Sequence, residues 1–469
     1  MTFFRGHSTR RSFSVLSLLA LAASLAPAEQ ADWIIRARYI LTMDSGRRVI
    51  PHGAVAIRGS HIVQVGTQQE IAAHFTGLHV LERPESLVMP GLIDTHTHAP
   101  MSLFRAIADD KRLQDWLNNF IFPAESKNVS PDFVRWGTRL ACLEMVLAGI
   151  TTYTDMYYFE DAEAEAAKQA GVRGVLGQTI IGFPAPDYKT WQDAIAGAER
   201  FIQKYRHDEL IVPVVAPHSI YTTPDAALVA SHKLAIKYGV PLTIHLAETK
   251  KERDDALAQR HMSPAEVVAR LGVLDGTVIA AHTIWVDDHD LEILKQHRTG
   301  VAHCPSSNMK MAAGIARVTD MLSLGIPVGL GNDGFAGSDD SADILREMGL
   351  AAKLQKVTRM DPTVVPADQA LEMGTIGGAR VLGLDKEIGS LEAGKRADLI
   401  TISLAHPDAV PDYNLYSLVV YAIGAGDVQD VLINGRQIVH QRQVLTLDRD
   451  QIYRKTEEYK TQILHSLGR

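Results

Sequence analysis

Along most of the chain, short apolar runs rich in Val, Ile and Leu alternate with longer segments whose apolar residues recur at helical spacing. That alternation predicts parallel strands joined by helical crossovers. Eight such runs follow one another: LVMPGLIDTHTH, ITTYTDMYY, VRGVLGQTII, LIVPVVAPHS, VPLTIHLAE, TVIAAHTIW, TGVAHCPSS and IPVGLGNDG. Between them, segments such as DFVRWGTRLACLEMVLAG and PDAALVASHKLAIKYG carry the helical period. Eight β/α units in roughly 290 residues suit one closed barrel, so an α/β fold of the (β/α)8 TIM-barrel class is expected over residues 89–384. The pattern changes at both ends. DWIIRARYILTM and AVAIRGSHIVQVG, with Gly59-Ser60 as a hairpin turn, predict short strands over residues 29–88. GSLEAGKRADLITI and VQDVLINGRQIV do the same over 385–445, followed by an amphipathic helix over 446–469. The two strand-rich ends are expected to pack together as one β-sandwich domain.

The first 28 residues read as a targeting segment outside the fold. Arg5, Arg10 and Arg11 precede an apolar run from Phe13 to Leu25, and Ala26-Pro27-Ala28 is a small-residue cleavage site, so the mature chain would begin near Glu29. Thr9-Arg10-Arg11-Ser12-Phe13 resembles a twin-arginine signal, with an ordinary secretory signal as the alternative. Either route makes the protein exported, and a periplasmic location is expected. No later stretch is long and apolar enough to span a bilayer, and no cysteine follows the apolar run, so no membrane anchor is expected.

Composition narrows the partners. With 46% hydrophobic residues, 22% charged residues, a net charge of −8 and no long basic run, the chain is globular and lacks the cationic surface that nucleic acid requires. A small-molecule substrate is expected, and a homo-oligomer is left open. Cys142 and Cys304 are the only cysteines, too few for a disulfide framework or a thiolate cluster, and both are expected in the core.

In a barrel of this class the carboxyl ends of the strands face the active site. Strand one ends in His96-Thr97-His98, and a spacing of two on a strand points both imidazoles to one side. Strand five ends in His245, strand six in His282 and strand eight in Asp333. Each residue alone has an ordinary structural explanation. Their joint placement at strand ends, in order, points to a divalent metal site, and imidazole with carboxylate suits zinc.

The stretches PGLIDTHTH, HLAE, AAHTIW, GLGNDG and GSLEAGKRADL resemble the amidohydrolase superfamily, in the branch of cytosine, guanine and methylthioadenosine/S-adenosylhomocysteine deaminases and triazine hydrolases. HAPMSLFRAIADD, DWL, APHSIY and CPSSNMKMAAGIA narrow the likeness toward the methylthioadenosine/S-adenosylhomocysteine deaminase group. It covers nearly the whole mature chain. The resemblance implies His96, His98, His245 and Asp333 as ligands of one divalent ion, zinc foremost, with iron, manganese or nickel as alternatives. Two-metal relatives carry a carboxylated lysine on strand four, where this chain has Pro217-His218-Ser219. The resemblance further implies that Glu248 shuttles a proton to a ring nitrogen and that His282 hydrogen-bonds the attacking hydroxide, with Asp333 placed to accept the water's proton. Trp116 would form a pocket wall, Glu125 would bind a ribose diol and His218 would line the pocket. The implied reaction is metal-activated attack of hydroxide on the amino-bearing ring carbon of an aminated purine nucleoside or related N-heterocycle, releasing ammonia. Trp285 and His303 are expected to be structural.

This chain departs from the group in two places. Gln178 and Lys189 stand near the positions of two arginines that would pair with a homocysteine carboxylate, and neither reproduces an arginine fork. The loop FAGSDDSADI is longer and more acidic than usual, so Asp339 and Asp340 are expected to repel anionic substrates if they line the pocket. Two rival readings remain: displacement of chloride or amine from a triazine-like ring or opening of a cyclic amide, and a non-catalytic exported binding protein.

Overall fold

The eight apolar runs form eight parallel strands in the computed structural model, which describes residues 1–4, 6 and 28–468. The targeting segment expected over residues 1–28 therefore falls almost wholly outside the described residues. The barrel strands are β1 (Leu92–His98), β2 (Ile150–Tyr157), β3 (Arg173–Ile180), β4 (Ile211–Pro213 with Ala216–Pro217), β5 (Leu242–Leu246), β6 (Val278–His282), β7 (Gly300–His303) and β8 (Val328–Leu330 with Asp333–Gly334). Each pairs in parallel with the next. Bridges from Val215 to Leu242 and from Ser219 to His245 join β4 to β5. Asp333 opposite Thr97 and Gly334 opposite His98 join β8 back to β1, which closes the ring. Strands with a neighbour on each edge and packing on each face read as near-continuous apolar runs. Accordingly β2, β3 and β5 are buried at every position.

The crossover helices lie where the helical period predicts them. Pro131–Leu147 begins on a Ser130 cap that accepts the Phe133 amide, and Asp225–Tyr238 ends at Gly239 in the left-handed conformation. Gly137 lets the first of these helices press on the turn after His98. A β-carbon there would stand 2.2 Å from the Pro100 carbonyl oxygen.

Both chain ends contribute to a single nine-stranded sheet. Glu29–Leu41 pairs with Gly53–Arg58 on one side and, in parallel, with Phe75–Pro90 on the other; Phe75–Pro90 then pairs with Leu399–Ser403 from the far end of the chain. The sheet folds back on itself. Ser60 accepts the Ala397 amide and Ile62 donates to Lys395, enclosing a core of Ile35, Val55, Ile57, Leu81, Val88, Leu399 and Leu432. The expected sandwich is thus one sheet folded over. The strand Phe75–Pro90 escaped the sequence reading, because Gly77, Pro84 and a run of exposed residues interrupt its apolar pattern.

The last helix, Arg449–Ser466, packs on the barrel rather than on the sheet: the Tyr459 ring meets Phe133 at 5.6 Å and its hydroxyl donates to Asp132 at 2.7 Å. Among the described residues no helix is long and apolar enough to cross a membrane.

Candidate active site

His96 and His98 project together from β1 because they are two residues apart. The histidine rings are held from behind. His98 Nδ1 lies 2.8 Å from the Met156 carbonyl and His245 Nδ1 lies 2.9 Å from the His218 carbonyl. Donating Nδ1–H to those oxygens leaves each Nε2 lone pair facing inward, the arrangement a metal ligand needs. The two Nε2 atoms stand 3.3 Å apart, and neither then carries a proton to share with the other. His96 Nε2 is buried with no hydrogen-bond partner. Asp333 Oδ1 lies 3.5 Å from His96 Nε2 and 3.4 Å from His98 Nε2. The ligand atoms of His96, His98, His245 and Asp333 all fall within 4.8 Å of one another. Converging lone pairs and one carboxylate, with no internal partner for the His96 nitrogen, fit a divalent cation. Burial lowers His96 to about 4, so the ring is neutral and able to ligate. Burial works to raise Asp333, yet the close imidazoles of His96, His282 and His98 hold it well below the usual carboxylate range.

A ring of supporting residues went unseen in the sequence. Ser307 Oγ donates to Asp333 Oδ2 at 2.6 Å, and Asn308 Oδ1 lies 3.0 Å from His282 Nδ1. His282 Nε2 in turn lies 4.0 Å from Asp333 Oδ2. Asp94 Oδ1 accepts the amides of His96 at 3.3 Å and Asn332 at 3.1 Å, tying β1 to β8. Asp155 accepts Thr97 Oγ1 at 2.7 Å and also the Ala99 amide. Only the motif CPSSN hinted at any of these. The backbone at the strand ends is left-handed: φ is +51° at Ala247, +66° at His282 and +67° at Asp333. Residues with a β-carbon hold that conformation at a cost of about 1–3 kcal/mol each, and such positions cluster where chemistry is done.

Of the predicted site residues, His98, Trp116, Glu125, His218, His245, Glu248, His282 and Asp333 line one cavity, and His96 is fully buried beside the other ligands. Leu113, Leu117, Ile121, Phe122 and Met311 complete an apolar wall. Trp116 belongs to that wall, fixed by its Nε1 donating to the Ala336 carbonyl at 2.8 Å. His218 Nδ1 lies 2.9 Å from Thr222 Oγ1. Burial pushes the Glu125 carboxyl up to about 8, with the Tyr157 and Tyr158 hydroxyls pulling the other way. Burial also raises Glu248, against the opposing influence of His282.

Two expectations need correction or refinement. Asp339 and Asp340 do not line the cavity: Asp339 pairs with Arg346 at 2.5 Å and Asp340 pairs with Lys310, so their charge is already neutralised and only Ser338 of that loop reaches the cavity. Gln178 donates to Asp187 at 2.7 Å and Lys189 donates to the Ala185 carbonyl at 3.1 Å, so neither lines the cavity. Among the described residues lining it there is no Lys or Arg. His303 and Trp285 also stay outside the lining; His303 is fully buried, and Trp285 Nε1 donates to the Ala313 carbonyl at 2.7 Å. Cys142 and Cys304 are free and buried, as expected.

A parallel eight-stranded barrel with imidazoles and a carboxylate converging at its carboxyl-terminal mouth defines a metal-dependent hydrolase. The chain belongs to the amidohydrolase family, whose sequence profile matches residues 87–438. It is 42% identical over 436 residues to a 5-methylthioadenosine/S-adenosylhomocysteine deaminase of Thermodesulfovibrio yellowstonii, covering 92% of this chain and 99% of the relative. A Syntrophus aciditrophicus protein of the same description is 41% identical over 439 residues, covering 94% and 99%. Among solved structures, an adenosine deaminase from Xanthomonas campestris with bound zinc superposes with a TM-score of 0.91 at 33% identity, covering 93% of this chain and 99% of that one. An atrazine chlorohydrolase from Arthrobacter aurescens shares the fold, with a TM-score of 0.84 at 23% identity over 91% of this chain and 100% of that one. The protein is therefore a hydrolase of carbon–nitrogen bonds, in the deaminase branch of its family.

Proposed function

We propose that this enzyme deaminates an uncharged aminated purine nucleoside, adenosine or methylthioadenosine, releasing ammonia. One observation carries the reading: a single cavity joins the histidine–aspartate cluster and Glu248 to Glu125 and Trp116, with no lysine or arginine among the described residues of its lining. A divalent ion held by His96, His98, His245 and Asp333 supplies Lewis acidity that brings a water's pKa toward neutrality. Zinc is the proposed ion, a choice supported by the related adenosine deaminase.

The side chains then divide the work. Asp333 accepts the water's proton through Oδ2, the oxygen that already carries the Ser307 hydrogen bond. His282, anchored to Asn308, keeps Nε2 free to hydrogen-bond the attacking oxygen. Glu248, whose carboxyl burial raises toward its acid form, donates a proton to the ring nitrogen as negative charge develops there. Oxygen adds to the ring carbon, the carbon–nitrogen bond breaks as ammonia leaves with the proton Asp333 took from water, and the added hydroxyl gives its remaining proton back to Glu248 as it becomes the ring carbonyl. Glu125 hydrogen-bonds the ribose diol, Trp116 walls the ring and His218 borders the pocket.

S-Adenosylhomocysteine carries a carboxylate that finds no cationic partner in this lining. A lost charge-assisted contact costs about 1.5–3 kcal/mol, roughly ten- to a hundredfold in specificity. Ammonia release from adenosine, methylthioadenosine, S-adenosylhomocysteine, guanine, cytosine, pterins and triazines tests this, and kcat/KM should be highest for the uncharged nucleosides. Equal efficiency on S-adenosylhomocysteine would refute the charge argument; activity confined to triazines would favour displacement.

Export is proposed from Arg10, Arg11 and the apolar run that ends before Ala28. Fractionation should recover the mature protein outside the cytoplasm. Uncleaved protein found solely in the cytosol would contradict it.

A further inference from the structure

Residues three apart on a strand face opposite sides of the sheet, so an unbroken β5 could not point both His245 and Glu248 into one cavity. The chain bends between them. β5 stops at Leu246, and Ala247 takes a φ of +51°, a left-handed conformation that residues with a β-carbon rarely adopt. Both amides of the bend and the Ala247 carbonyl are tied. The Ala247 amide donates to Glu252 Oε1 at 3.1 Å and the Glu248 amide to Glu252 Oε2 at 2.8 Å. The Ala247 carbonyl accepts the Ile284 amide at 3.0 Å and the Trp285 amide at 2.9 Å.

Glu252 is itself fixed in the first turn of the helix Lys250–Arg260, where its amide donates to the capping Thr249 hydroxyl at 3.1 Å. It is buried and does not line the catalytic cavity, facing instead a neighbouring cavity beyond Tyr221. His245 is secured separately, through its amide and its Nδ1, both on the His218 carbonyl. The bend and the metal ligand are therefore held by different partners.

We infer that Glu252 is a positioning residue for proton transfer: its two carboxylate oxygens clamp the left-handed bend at Ala247 and so aim Glu248 at the substrate ring. The inference rests on the proposed role of Glu248 as the proton donor. Glu252→Gln keeps the shape of the side chain but replaces one acceptor with an NH2 donor that confronts a backbone N–H. The bend loosens while the metal ligands keep their own partners.

The test uses the metal-loaded full chain with adenosine, or with whichever aminopurine nucleoside releases ammonia fastest. For Glu252→Gln, kcat should fall about ten- to a hundredfold, the scale of an ångström-sized misplacement, with KM little changed. Metal content and the visible spectrum of the cobalt-substituted enzyme should match wild type. Adding Ala247→Gly to Glu252→Gln should restore part of the lost kcat, because glycine adopts the left-handed bend without steric cost. Wild-type kcat in Glu252→Gln, metal loss in step with activity, or no recovery in the double variant would overturn the inference. If Glu252→Gln does not fold, Glu252→Asp, too short to reach both amides, is measured the same way; failure of both to fold makes Glu252 a structural residue and also overturns it. Glu248→Gln run alongside separates the two ideas. Near-normal turnover there defeats the role of Glu248, whereas an inactive Glu248→Gln beside a normal Glu252→Gln defeats the clamp alone.

Discussion

Two sets of buried carboxyl groups in this molecule are treated in opposite ways. In the folded sheet and where it meets the barrel, each has an arginine. Asp430 accepts Arg83 Nε at 2.7 Å and Nη2 at 2.8 Å, and Asp398 accepts Arg173 Nη2 at 3.0 Å. Although burial tends to raise Asp430, the Arg83 pairing holds its carboxyl below the usual range. At the barrel mouth Glu125 and Glu248 have no arginine or lysine partner among the described residues, and burial pushes both upward. Their neighbours Ala247, His282 and Asp333 also hold left-handed backbone. A cation beside a buried carboxyl holds its proton affinity down, and where the fold withholds one burial drives that affinity up.

Breaking the paired region should cost stability and leave catalysis alone. Arg83→Met leaves the fully buried Asp430 carboxylate without its arginine, held by Thr401, the Gln441 amide and His440, and removing one partner of a buried pair costs about 3–5 kcal/mol. Urea unfolding should record that loss while kcat per folded molecule stays at the wild-type value. A loss of kcat without a loss of stability would erase the distinction between the regions.

The mouth should respond in the reverse sense. Glu248→Gln keeps the size of the side chain but cannot pass a proton, so turnover should fall by about a hundredfold or more. Metal content and unfolding midpoint should not fall with it, because Glu248 is not among the clustered ligands.

The smallest effect sharpens the comparison through pH. Burial raises Glu125 from 4.5 to about 8, so the folded state holds this proton more tightly than the unfolded chain does. Its contribution to stability is complete below pH 4.5 and is lost as pH climbs toward about 8. Asp430 has the opposite sign: its depressed pKa contributes stability above 3.8 that disappears as pH falls through its lowered value. Glu125→Gln should therefore flatten the decline of Tm between about pH 5 and pH 8, by about 2 °C or more. An unchanged slope would mean that Glu125 is not protonated in the native protein.

The barrel strands were legible as short, β-rich, mostly apolar runs between helical stretches, and the clustered histidines and aspartate were legible because they end those runs in order. The supporting residues were not. Asp94, Asp155, Glu252, Ser307 and Asn308 act on backbone amides or on side chains of other strands, contacts that follow no period in the sequence. Asp339 and Asp340 misled for the same reason, since Arg346 and Lys310, which neutralise them, come from neighbouring helices. Phe75–Pro90 was hidden because its pairing with Glu29–Leu41 tolerates the Gly and Pro that usually mark loops.

The central claim, hydrolytic deamination at a single-metal centre built from His96, His98, His245 and Asp333, is tested most directly by titrating zinc into chelator-stripped protein while following ammonia release from adenosine or methylthioadenosine. Activity should be absent at the start, rise in proportion to bound zinc and saturate at one ion per chain. His96→Ala should show neither binding nor turnover under the same titration. Full activity in the stripped protein, or saturation only at two ions per chain, would contradict the account.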